Sequence, residues 1–291
     1  MIKVLVTGVA GFIGSHIAEE LIRRDVVVIG LDDLSAGYES NIPEGVIFLQ
    51  ADLYKTNQWS HMLKGVDAVF HNAASKKNVC LKDPARDMKV NGIGTYRLLR
   101  ACVDNNVSKF IHASTGSVYG EVDGRITEDT PRNPVSIYGI SKMSGENYVQ
   151  YFHKFEGLNT TVLRYFHVYG ERQESSQDTG GVVAIFKRKV QAQEPITIHG
   201  DGTQKRVFTH VSDIVKANIQ SWHESKSEGK IYNCASGKQT SVIELADLLG
   251  VKYNKKIRYK YTNSLPGDIY NFDVDNSKIM ELGVTFRPIE L

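Results

Sequence analysis

Two rhythms of apolar and polar positions run through the first half of the chain. Lys3 to Thr7, Val26 to Leu31, Val46 to Leu49, Ala68 to Phe70 and Phe110 to Ala113 are short, nearly unbroken apolar runs, the pattern of strands covered on both faces. Between them, Ser15 to Arg24, Gln58 to Leu63 and about Asp87 to Asp104 carry helical spacing. Strand and helix in alternation predict a doubly wound parallel sheet. Farther on, Val182 to Gln193 reads as a helix followed by a pair of apolar strands. The run KYNKKIRYKY, Lys252 to Tyr261, reads as a solvated edge strand guarded by charge rather than as a nucleic-acid strip. No internal repeat or low-complexity segment interrupts the pattern.

Composition narrows the class without naming a chemistry. The 291 residues are 41% hydrophobic and 23% charged, as in soluble globular chains. With 35 basic against 33 acidic residues, nothing points to a surface built to neutralise nucleic acid. Cys80, Cys102 and Cys234 lack metal spacing or close pairing, which predicts reduced thiols, a cytoplasmic location and no metal site. No apolar run approaches the roughly 20 residues that cross a bilayer. The opening MIKVLVTGVAGFIG is glycine-broken and soon followed by Glu19, Glu20, Arg23 and Arg24, so it reads as a first strand and not as a leader.

Candidate chemistry sits at three places. Gly8, Gly11 and Gly14 fall where the first strand meets the first helix, the position at which side chains would block a pyrophosphate. The second strand ends at Asp32, whose carboxylate suits two ribose hydroxyls and would repel a 2'-phosphate, so NAD is expected rather than NADP. In Tyr138-Gly-Ile-Ser-Lys142, the phenol and the ammonium are four residues apart on one helical face. A phenol titrates near pH 10; the lysine charge and the cationic ring of NAD are expected to lower it enough to act as a base. The stretch KFIHASTGSVYG, Lys109 to Gly120, supplies hydroxyls at a strand end, where open α/β sheets bind ligands.

These motifs, in order, resemble the NAD-dependent nucleotide-sugar epimerase/dehydratase family of extended short-chain dehydrogenase/reductases. The resemblance is carried by TGVAGFIG, LDDLSAG, ADL at Ala51 to Leu53, HNAAS at His71 to Ser75, VNGIGT around Asn91, STGSVYG, YGISK, LRYFHVYG from Leu163, GDGTQKRVFTHVSDI from Gly200 and LPGDI at Leu265 to Ile269. It implies a Rossmann-type NAD-binding domain over 1–166 and a smaller, mainly substrate-binding α/β portion over 167–291, with about 205–235 returning to the first. It implies Thr115, Tyr138 and Lys142 as catalytic residues. The implied cofactor contacts are Gly8, Gly11, Phe12, Ile13, Gly14, Asp32, Asp33, Asp52, Leu53, Ala73, Lys76, Asn91, Tyr138, Lys142 and Tyr165. The implied substrate contacts are Lys76, Thr115, Gly116, Ser117, Tyr138, His167, Val183, His199, Arg206, Asp268 and Phe272.

The family reaction oxidises C4 of a nucleotide sugar, and the next step separates its members. The similar 4,6-dehydratases place an acidic pair after the catalytic Thr, and decarboxylases keep a glutamate at the second position; here these are Gly116 and Ser117, which supply no carboxyl group. The resemblance therefore implies C4 epimerisation of a UDP-sugar, UDP-glucose/UDP-galactose above all. A decarboxylase, a 4-keto-sugar reductase and a non-catalytic NAD-binding regulator remain as alternatives. His167 stands where the family usually has asparagine and Leu265 where it often has arginine, which leaves the nucleotide open. Phe272 reads either as a gate against N-acetyl sugars or as a core aromatic. The helices at about Asp87 to Asp104 and Ser141 to His153 imply a homodimer by analogy.

Overall fold

The computed structural model describes residues 1–75, 83–173, 180–264, 270–289 and 291. The chain enters as β1 (Lys3–Thr7), α1 (Phe12–Ile22), β2 (Val27–Asp32), β3 (Ile47–Gln50) and β4 (Ala68–His71). Next come α2 (Pro84–Met88), a π-helical turn over Lys89–Gly94, α3 (Thr95–Asp104) and β5 (Lys109–Thr115). The helix expected from Asp87 thus begins earlier. Asp83 caps it by accepting from Arg86 N at 3.0 Å, and Pro84 occupies its first position, where no backbone donor is needed.

The chain continues through β6 (Arg125–Ile126), α4 (Ile137–Glu156), β7 (Thr160–Tyr165) and β8 (Val168–Tyr169). It then forms α5 (Val182–Gln191), β9 (Ile196–His199), β10 (Lys205–Val207), β11 (Thr209–His210), α6 (Val211–His223) and β12 (Lys230–Cys234). β13 (Gln239–Ser241), α7 (Val242–Tyr253), β14 (Tyr259–Thr262), β15 (Asp273–Val274) and α8 (Ser277–Met280) close it. Among the described residues, seven strands form one parallel sheet in the order β12-β7-β5-β4-β1-β2-β3. The order reverses at β1, so a crevice opens between the carboxyl ends of β1 and β4, where such sheets take ligands.

Both sheet faces are covered, which explains the unbroken apolar runs. Ile17, Ala18 and Leu21 of α1 and Ile214 and Ala217 of α6 pack on one face; Leu98, Leu99 and Cys102 of α3 and Val149 and Phe152 of α4 pack on the other. The later elements make smaller paired strands around Val183, Phe186, Ile198, Leu245 and Leu249. β12 and α6 come from this later stretch yet belong to the large sheet. β14 is mostly exposed and pairs with β9; the basic run forms a strand only at its end, its first residues finishing α7.

A buried ion pair fastens α4 to the sheet. Glu146 accepts from Arg164 Nε at 2.9 Å and Nη2 at 2.8 Å, from Arg132 Nη1 at 3.1 Å and from Ser114 Oγ at 2.5 Å. Arg164 also donates to the Tyr119 hydroxyl at 2.6 Å, which donates to Asn233 on β12 at 2.7 Å. Truncating Glu146 strands a buried guanidinium, so Glu146→Ala should cost roughly 3–5 kcal/mol in urea unfolding. A loss below about 1 kcal/mol, the scale of an exposed pair, would show that the network does not hold the sheet and helix together.

Candidate active site

A cavity of about 300 Å³ lies over the crevice, lined by Gly8, Gly11, Phe12, Ile13, Gly14, Asp32, Asp33, Asp52, Leu53, Ala73, Tyr138, Lys142 and Tyr165. Its floor is the turn from β1 into α1. A Cβ on Gly14 would sit 2.1 Å from the Gly8 carbonyl oxygen, so only glycine lets helix and turn approach this closely. Asp32 is aimed by its own surroundings: one oxygen accepts from Ala10 N at 3.0 Å, the other from Leu34 N at 2.8 Å. On the opposite wall, both amide atoms of Asn72 and the Ser75 hydroxyl are buried without a partner among the described residues. A glycine cradle, a ribose-facing carboxylate and orphaned polar atoms fit NAD. Gly8, Gly11 and Gly14 would take its pyrophosphate, Asp32 its adenosine ribose, and Lys142 and Tyr138 its nicotinamide end.

One of the expected cofactor contacts does not line the cavity. Asn91 is set behind the cavity, where its amide donates to Asp87 at 3.2 Å and Ser141 at 3.0 Å and its carbonyl accepts from Ser75 N at 3.0 Å. Lys76 lies outside the described residues.

Ser136 caps α4 by accepting from Gly139 N at 3.1 Å, which starts the helix at the catalytic segment. Tyr138 and Lys142 follow one turn apart and both line the cavity. Thr115, the last residue of β5, accepts from Ser117 N at 3.2 Å and donates to Ser117 Oγ at 3.2 Å, and its hydroxyl lies near enough to the Tyr138 phenol to favour its ionised form. The three expected catalytic residues therefore meet at the carboxyl edge of the sheet. The expected lowering of the phenol relies on the cationic ring of NAD as well as Lys142, and the chain by itself sets the opposite balance. Burial pushes the phenol up to about 12 and Asp87 adds to this, while the Thr115 hydroxyl pulls the other way. Burial brings Lys142 down to about 8, against the favourable charges of Glu146 and Asp87. Burial also drives neighbouring His71 down to about 3 and His112 well below its ordinary value, so both are neutral beside Lys142. The chain alone thus keeps Tyr138 protonated at neutral pH, and its ionisation waits for positive charge brought into the cavity.

The turn after Thr115 is shaped by a residue fifty positions away. A Cβ on Gly116 would lie 2.3 Å from the Phe166 ring, so an acid at this place collides with a buried aromatic. Ser117 bonds with Thr115 inside the same turn. His167 follows Phe166 with φ of +37°, its ring 5.0 Å from Phe272 and 6.0 Å from Phe208. Arg206 on β10 is buried with its guanidinium 5.6 Å over the Phe272 ring. Phe272 itself packs among Val118, Tyr119, Phe166 and Val274. Val183 is buried among the apolar residues of α5 and α7, and His199 Nδ1 is 2.8 Å from Thr262 Oγ1. These later candidates lie outside the 300 Å³ cavity. Asp268 and Leu265 lie outside the described residues.

Sequence reasoning passed over Asn72, Arg86, Asp87 and Glu146. Only Asp87 and Arg86 had a local signal, the Asp83-Pro84 start that places them on a helix with two functional faces.

A family model described as the NAD dependent epimerase/dehydratase family matches residues 4–235. A putative UDP-glucose 4-epimerase of Methanocaldococcus jannaschii is 36% identical, covering 96% of this chain and 92% of its own. The crystal structure of UDP-glucose 4-epimerase with UDP-glucose from Thermotoga maritima superposes with a TM-score of 0.94 at 35% identity, over 98% of this chain and 94% of that one. UDP-glucuronic acid 4-epimerase from Bacillus cereus, in complex with UDP-glucuronic acid and NAD, gives 0.91 at 32% identity over 100% and 95%.

The fall of Lys142 from 10.5 to about 8 has a stability consequence. Between those values the unfolded chain binds more protons than the folded one, so stability rises with pH across that window, and below it the whole burial cost is present. Lys142→Met should therefore stabilise the cofactor-free protein at pH 7 by roughly 3 kcal/mol while weakening NAD binding. Thermal unfolding of variant and parent from pH 7 to 11 tests this; a difference that does not shrink above pH 8 contradicts it.

Proposed function

The chain belongs to the NAD-dependent epimerase/dehydratase family, and from that premise we propose that it inverts C4 of a UDP-sugar, with UDP-glucose and UDP-galactose as the pair. The observation that carries the reading is the turn at Thr115 to Ser117. It presents a hydroxyl beside Tyr138 and holds no carboxylate, and Phe166 fills the space an acid at position 116 would need. The similarity to proteins named UDP-glucose 4-epimerase supports the same reading, and the likeness to a glucuronic acid enzyme names the rival sugar.

In this mechanism Tyr138 takes the proton from the C4 hydroxyl while Thr115 holds that oxygen by a hydrogen bond. NAD, when bound, accepts the hydride from C4 and returns it. Lys142 supplies charge that favours the phenolate once the cavity is filled. With no acid at 116 or 117 to remove water across C5 and C6, the 4-keto sugar waits until it turns over, and Tyr138 returns its proton as the opposite face is reduced. Arg206, steadied on Phe272, is suited to two diphosphate oxygens.

The same reading includes a homodimer. α3 and α4 leave a stripe of exposed aromatic residues: Tyr96 at 44%, Tyr151 at 50% and Phe155 at 64% exposure, with Tyr96 tilted against Tyr148 and Tyr151 against Phe155. Such a contiguous apolar face on two long helices suits a second copy of the chain.

Incubation with UDP-glucose, UDP-galactose, the N-acetylated pair and the uronic pair, followed by product analysis, tests the activity. Interconversion of the plain pair with NAD retained is expected; a UDP-pentose from the uronic sugar would instead show a decarboxylase. Tyr138→Phe should lower turnover by about 10²–10⁴-fold with NAD binding kept. Phe155→Glu should convert a dimer to a monomer in analytical ultracentrifugation, and an unchanged mass would place the interface elsewhere.

A further inference from the structure

The end of the cavity beside Asp32 is lined by charged side chains from three separate parts of the chain. Asp33 stands just past β2, Asp52 just past β3 and Arg86 on α2, and all three line the cavity with Asp32. Arg86 Nη2 donates to Asp33 Oδ2 at 2.6 Å, and its Nη1 is 3.8 Å from Asp52 Oδ2. Its guanidinium also lies 5.9 Å from the Tyr54 ring. These side chains are only 21%, 25% and 12% exposed in the order Arg86, Asp33, Asp52, so the pair is sheltered more than ordinary surface ion pairs are.

Each acidic end is fixed independently of the arginine. Asp33 Oδ1 accepts from Ser35 N at 2.9 Å and Ser35 Oγ at 2.6 Å, and Asp52 Oδ1 accepts from Tyr54 N at 3.0 Å. The arginine is fixed from below. Asp87, the next residue, is fully buried and accepts from Ser141 Oγ at 2.5 Å and Asn91 Nδ2 at 3.2 Å, which ties α2 under the catalytic helix. One short helix therefore carries a guanidinium facing the adenosine end and a carboxylate facing α4. Asp87 already anchors the helix, so the Arg86–Asp33 pair is not needed merely to hold α2 in place.

We propose that Arg86 and Asp33 form a clasp across the adenosine end of the cavity, and that this clasp sets how slowly NAD leaves. With NAD in place, dissociation requires the pair to part, and two sheltered charges separate less readily than solvated ones. The bond to Asp33 on one side and the nearby Asp52 carboxylate on the other also commit the guanidinium, so it is not offered to a 2'-phosphate. The inference rests on the cofactor cavity and not on the identity of the sugar, so the outcome of the sugar panel does not decide it.

The test uses the NAD-loaded protein. Parent, Arg86→Met, Asp33→Asn and the double variant are rapidly desalted, and protein-bound NAD is followed in time at low and high salt. Each single substitution should speed release about tenfold, and the double variant should release no faster than the singles, because either change opens the same clasp. Salt should hasten release from the parent and leave Arg86→Met little affected. Unchanged release in both singles overturns the clasp. So does acceleration in one single variant without the other, which would mean a direct contact with NAD, and so does a double variant whose effect is the product of the two.

Discussion

Glu146 is where the geometry of this molecule is decided. A carboxylate with no exposure to water must be paired, and it is satisfied only where Ser114, Arg132 and Arg164 converge on it. Those partners belong to β5, to the segment leading into α4, and to β7, so one position of the helix along the sheet meets all of them. Lys142 and Tyr138 lie one and two turns back on the same face, about 12 Å of helix in total. Docking Glu146 therefore delivers both of them to the strand end that carries Thr115. Arg164 extends the constraint through Tyr119 to Asn233 on β12. Charges that take no part in the chemistry hold in place the ones that do.

The adjoining face of α4 is tied as firmly, through Ser141 to Asp87 and Asn91. This clamping has an electrostatic cost, because it seals Lys142 among Asp87, Glu146, His71 and His112 and denies water to the phenol. Both charged forms are disfavoured by burial. A base prepared in advance would be ionised before any cofactor arrived. Here burial holds the phenol high in the chain by itself, and on the proposed reading the positive ring of NAD would join Lys142 in favouring the phenolate.

Much of this was legible in the sequence, for local reasons. The apolar runs gave the parallel sheet because strands buried on both faces cannot alternate. The glycine triplet and the Tyr138/Lys142 spacing lie within single turns of chain, and the cavity gathers them as their spacing requires. What escaped was set by contacts distant in sequence. Arg86 looks like any helix arginine until Asp33 is brought across from another strand. Asn91 carries the right motif, yet its amide is drawn into the network beneath the cavity. The rise in the Tyr138 pKa follows from burial, which residue spacing does not report. The helix start at Pro84 was readable from Asp83, a cap followed by proline.

The reaction class rests on a similar long-range contact. Missing acids at 116 and 117 can be noted from the sequence alone, but an absence on one strand leaves open whether an acid might be supplied by one substitution. Phe166 closes that route at 116, since its ring lies where the Cβ of residue 116 would project and is itself held by Phe272 and Tyr119. An acid at 116 thus requires a smaller residue at 166, and a smaller residue at 166 loosens the packing beneath His167 and Arg206, where the nucleotide end of the substrate would be held. The turn after Thr115 and the setting of His167 and Arg206 are consequently coupled through one aromatic cluster. Placing an acid at 116 on this scaffold would have to pass through several positions together, each poor in the company of the others.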